Sequence, residues 1–81
     1  MTEEQVRIGG VYRYILYASR TGELLVDCVV EVVKLLSDEA CRFKILAVLK
    51  DDSGNGYYRY IHATGKETNG SYKYMEAIKD E

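Results

Sequence analysis

Proline and tryptophan are absent from this 81-residue chain, Phe43 is its only phenylalanine, His62 its only histidine, and Cys28 and Cys41 its only cysteines. Each shortage removes some chemistry. One histidine cannot build a multi-imidazole metal site, and a nucleophile–base pair that uses a histidine would have to form around position 62. His62 shares strand parity with Tyr58 and Tyr60, which suits a half-buried residue on a sheet edge better than a catalytic base. Neither cysteine lies near a histidine or in a C-x-x-C pair, so thiol catalysis lacks its usual setting. A hairpin closing near residues 37–39 would put Cys41 opposite position 35, with Cys28 ~23 Å further along at ~3.3 Å per residue. A disulfide needs Cα atoms within ~7 Å. The two cysteines are therefore expected as unpaired thiols that fill the core.

A strong charge of either sign is also missing. The formal net charge is −2, and Glu3, Glu4, Asp80 and Glu81 sit at the ends of the chain. Without them, 11 basic residues face 13 less 4 acidic ones, a slight positive balance. Dedicated nucleic-acid domains carry a clear basic excess, so nucleic acid is the less favoured partner. The longest apolar stretch, Leu24 to Leu36, is broken by Asp27, Glu31 and Lys34 and is too short to span a bilayer. The polar start Met1-Thr2-Glu3-Glu4-Gln5 has the character of neither a secretory signal nor a transit peptide. A cytoplasmic protein with no membrane span is expected. The glycosylation pattern at Asn69-Gly70-Ser71 then carries no weight.

Two loops fail as ligand sites. The segment 51–56 (Asp-Asp-Ser-Gly-Asn-Gly) puts Gly56 where a calcium loop wants glycine, but Ser53 replaces an acid and His62 stands where the closing glutamate belongs. Gly65-Lys66 lacks the first P-loop glycine, since Tyr60 is there, and Glu67 replaces the Ser or Thr. The carboxylate pairs Asp38-Glu39, Asp51-Asp52 and Asp80-Glu81 are neighbours in polar segments, whereas acid–base catalysis wants carboxyls in contrasting environments across a cleft. No enzymatic activity, cofactor or metal is expected.

One small pattern occurs three times: Tyr12-Arg13-Tyr14, Tyr58-Arg59-Tyr60 and Tyr72-Lys73-Tyr74. On a strand, each triplet puts two Tyr on one face and a cation on the other. The alternation extends over Val11 to Ala18, with Tyr12, Tyr14, Leu16 and Ala18 towards the core and Val11, Arg13, Ile15 and Tyr17 outward. Residues 1–8 read as a flexible tail, and 9–79 as a single small β domain, with turns at residues 19–22, 37–39, 51–56, 64–66 and 69–71.

The segment after the first turn is ambiguous. Asp27, Glu31, Lys34 and Asp38 are spaced by four, three and four, as on an amphipathic helix. Five of the eight residues from Val26 to Val33 are Val, and β-branched side chains favour a pleated sheet. The strand reading puts Leu24, Val26, Cys28, Val30 and Val32 on one face and requires a bulge or sharp bend near Val33 to turn Lys34 outward. Cys41, Phe43 and Ile45 then face the core from a strand over Ala40 to Lys50. Its alternation fails at Leu46-Ala47-Val48-Leu49, which implies burial on both sides or a bend. Tyr57 to Ala63 is a further strand, and Tyr72 to Lys79 is either a helical turn with a short strand or a short helix capped by Ser71.

The fold class that follows is all-β: on strand count and size, a small five-stranded antiparallel barrel of the SH3-like kind. The alternative is α+β, with residues 23–38 helical on an antiparallel sheet. The expected function is that of a non-enzymatic binding module presenting a Tyr/Arg surface to a protein or peptide partner, a second copy of itself included. Arg13 and Arg59 supply directed hydrogen bonds, Tyr17 and Tyr57 apolar anchors, and Lys73 a nearby cation. The alternative is weak, sequence-tolerant binding of single-stranded nucleic acid by the same surface.

Overall fold

The structure, a computed structural model, describes residues 4–51 and 64–78. It forms one antiparallel sheet of five strands: β1 (Val11–Tyr17), β2 (Leu24–Leu35), β3 (Ala40–Asp51), β4 (Glu67–Ser71) and β5 (Met75–Ala77). A single 3-10 turn, Tyr72–Tyr74, separates the last two. The all-β expectation is borne out. The alternative helix over 23–38 does not form, because the valine run wins over the polar spacing: Val26, Cys28, Val30 and Val32 are all buried on one face.

Strand order across the sheet is β4-β3-β2-β1-β5. In a flat sheet β1 and β4, three positions apart, would be separated by ~14 Å. Instead the rings of Tyr14 on β1 and Phe43 on β3 lie 4.9 Å apart, and a methyl placed on Gly70 of β4 would come within 2.8 Å of Tyr14 and 2.6 Å of Phe43. The sheet is therefore rolled around its core. Among the described residues it is not closed as a hydrogen-bonded barrel. Its outermost strands, β4 and β5, pair inward with β3 and β1 and are linked to each other through the 3-10 turn.

Local chemistry accounts for most of the boundaries. The β2–β3 hairpin pairs Leu35 with Cys41, and its tip is turned by Asp38 and Glu39 at φ 63° and 55°. The expected bulge is present: pairing passes from Val32↔Phe43 to Lys34↔Arg42, and Val33 has no partner across the ladder. Ser71 caps the 3-10 turn by accepting a hydrogen bond from the Lys73 amide, and β5 follows at once.

One expectation is corrected. Asn69-Gly70-Ser71 is the end of β4 rather than a turn. Gly70 is required there because two core rings occupy the space of a side chain, and a polar edge strand carries no apolar alternation to announce it. Several described residues before β1 contact the sheet. Val6 is buried in the core, the Arg7 amide donates to the Tyr12 hydroxyl, and that hydroxyl donates to the Gln5 carbonyl. The Gly9 amide bonds to the Val32 carbonyl. The expected strand over Tyr57 to Ala63 lies outside the described residues.

Candidate functional site

The outer face of the sheet can be followed in rows across the strands. One row runs Glu76, Arg13, Val29, Ala47. The next runs Ile15, Asp27, Lys50. Arg13 reaches diagonally to Asp27: Nε donates to Oδ1 at 3.0 Å and a terminal nitrogen to Oδ2, a two-point ion pair. Asp27 is nearly buried, whereas the Arg13 side chain is 40% exposed. The hydrogen bond to Asp27, and then its charge, hold the Arg13 guanidinium above its ordinary range of ionisation. Arg13 does face outward as its parity requires, but its directed bonds are committed to Asp27.

Ile15, expected to belong to an exposed surface, has the outward parity and yet is buried, at 6%. Tyr17 is exposed, at 58%. It ends β1 beside a register shift between Leu16 and Tyr17. Lys73 sits in the 3-10 turn, with its ammonium 4.9 Å above the Tyr74 ring. That ring in turn meets Tyr14 edge-on at 6.0 Å, so Lys73 covers the core side of β1 instead of extending the Arg13 row. Tyr57, Arg59 and His62 lie outside the described residues. Of the expected binding residues, Arg13 and Tyr17 thus share a strand face, and Lys73 stands apart from them.

The strand reading of β3 left two leucines unassigned, and the structure supplies a reason for them. Between Val30↔Ile45 and Val29↔Ala47 the register skips Leu46; between Cys28↔Val48 and Asp27↔Lys50 it skips Leu49. Each bulge takes a leucine out of the cross-strand pairing, and both leucines are solvent-exposed, at 39% and 59%. Burial on both sides is therefore not what breaks the alternation here. Leu46 precedes the partner of Val29, and Leu49 precedes the partner of Asp27, so both leucines border the rows that hold Arg13 and Ile15. The sequence signal was the failed alternation itself.

The cysteines are free and buried. Burial first, and then the charges of Asp27 and Asp51, push the Cys28 thiol up from an ordinary 9.0 to about 11; burial alone raises Cys41. Both are held as neutral thiols, with Cys41 Sγ 3.6 Å from the Met75 sulfur. Among the described residues no three His, Cys, Asp or Glu side chains are grouped to hold a metal ion, and no helix is long and apolar enough to cross a membrane. No protein-family model, curated protein or solved structure matches the chain.

Proposed function

We propose that this protein is a non-enzymatic binding module of the SH3-like kind, taking a protein or peptide partner, a second copy included, on the outer face of β1 to β3. The five antiparallel strands rolled about one core, with a 3-10 turn before the last, support the fold assignment. One observation carries the function: two separate bulges put Leu46 and Leu49 into solvent on a face that also exposes Tyr17. Bulges re-aim side chains, and apolar and aromatic groups around a paired charge make the core of many protein interfaces. The Arg13–Asp27 pair sits among them already neutralised, so this region offers phosphate little net attraction. That favours protein over single-stranded nucleic acid. The buried unpaired thiols suit a reducing, cytoplasmic setting.

The test is sedimentation at micromolar concentration, alongside recovery of partners from lysate, for the native chain and for Leu46→Ser/Leu49→Ser. Self-association or partner capture should be lost in the double variant and change little between low and high salt. An oligonucleotide complex that dissolves steeply with salt and ignores the leucines would instead establish the nucleic-acid reading.

A further inference from the structure

A different part of the outer face departs from its own charge rule. One row reads Val11, Glu31, Lys44, Glu67, so that Lys44 has an acid opposite it on each side. The neighbouring row reads Lys34, Arg42, Asn69. Here two cations face each other directly, an arrangement that destabilises a sheet. The bulge at Val33 brings it about, because strict alternation from Val32 would send Lys34 to the core side. Both side chains are exposed. Arg42 Nε donates to Asn69 Oδ1 at 3.2 Å, which orients the guanidinium and leaves its terminal nitrogens uncommitted. Neither cation forms an ion pair with an acid among the described residues.

We propose that Lys34 and Arg42 form an oxyanion site for a phosphate-type dianion, on a different part of the outer face from Leu46, Leu49 and Tyr17. Arg42 offers a planar pair of N–H donors already aimed by Asn69, and Lys34 offers a point charge directly across the ladder. A dianion offsets both charges and relieves their repulsion, whereas a monoanion leaves one uncompensated. Inorganic phosphate therefore binds here in preference to acetate, chloride or the singly charged phosphodiesters of an oligonucleotide.

The experiment is a titration of isotopically labelled protein with inorganic phosphate at constant ionic strength. The Arg42 Nε–H signal and the amides of residues 34, 42 and 69 are followed, with chloride, acetate and a short oligonucleotide as parallel arms. Phosphate should give saturable shifts confined to this row, and Lys34→Gln and Arg42→Gln should each weaken it by about tenfold, the loss of one charge-assisted contact. Dispersed spectra of both variants establish folding, and Lys34→Gln should melt higher than the native chain in chloride because the repulsion is gone. Shifts that fail to saturate, that chloride reproduces, or that survive Arg42→Gln would overturn the site. Acetate or oligonucleotide binding as tight as phosphate would overturn its assignment to a dianion.

Discussion

The pair of Arg13 and Asp27 gives a quantitative handle on the sheet. Arg13→Met removes both donors from Asp27 and keeps an unbranched apolar stem over the strand. Breaking a fully buried pair costs about 3–5 kcal/mol, because the remaining charge has no partner. Here Asp27 is 7% exposed in its side chain and Arg13 40%, so water already screens one side and reaches the other once the guanidinium is gone. The expected loss is about 2 kcal/mol. In a domain of this size that lowers Tm by about 8–16 °C. Arg13→Met/Asp27→Leu, which removes both charges, should recover most of the loss, as apolar replacement of a buried pair commonly does. Urea and thermal unfolding followed by circular dichroism, run as a double-mutant cycle, measure the coupling. A single Arg13→Met variant within about 0.5 kcal/mol of the native chain, the range of ordinary surface changes, would refute the reasoning and return Arg13 to the pool of side chains free for a partner. A double variant as unstable as the single would place the loss in packing of the arginine stem.

Three further outcomes are expected. Cys28 should resist thiol reagents in the folded protein, and its stability contribution should fall between pH 9.0 and about 11. In that window the folded thiol keeps its proton while the unfolded one releases it, so stability drops with pH by a few kcal/mol at most; Cys28→Ala should flatten that part of the profile, and rapid labelling at pH 8 would count against it. Gly70→Ala pushes a methyl into the Phe43 and Tyr14 rings and should cost about 1–3 kcal/mol in urea unfolding, while an unchanged midpoint would mean that the sheet is not rolled as tightly as those contacts require. Glu39→Gly relieves a left-handed residue at the β2–β3 tip and keeps the carbonyl that accepts from the Tyr72 amide, so a gain of up to about 1 kcal/mol is expected; a loss would show that unfolded-chain entropy outweighs the strain.

Much of the fold was legible in the residues because strands with one buried face advertise themselves. Tyr12 and Tyr14, Val26, Cys28, Val30 and Val32, and Cys41, Phe43 and Ile45 fall on the core side as their alternation demands. The Val33 bulge could be read because Lys34 would otherwise enter the core. β4 could not be read that way: Glu67, Thr68, Asn69, Gly70 and Ser71 line an edge, where no apolar period is imposed. The candidate site was only half visible. Parity put Arg13 and Tyr17 on one face, but parity carries no information about which acid a guanidinium will meet, or whether Ile15 will be covered.

Taken alone, then, the order of side chains determined that the chain is built from antiparallel strands, which face of β1 to β3 is buried, where the principal turns fall, and that the two thiols stay apart. These follow from local period and turn chemistry, which act over a few residues. The tertiary structure decided the rest: the diagonal bond from Arg13 to Asp27, the seating of Val6 in the core, the exposure of Leu46 and Leu49, and the meeting of Lys34 with Arg42. Each depends on register between segments, and a one-residue bulge resets every cross-strand partner beyond it at small energetic cost. Except at Val33, where a charged Lys34 gives the shift away, no single strand's sequence encodes it, because it is set by the fit of two strands to one shared core.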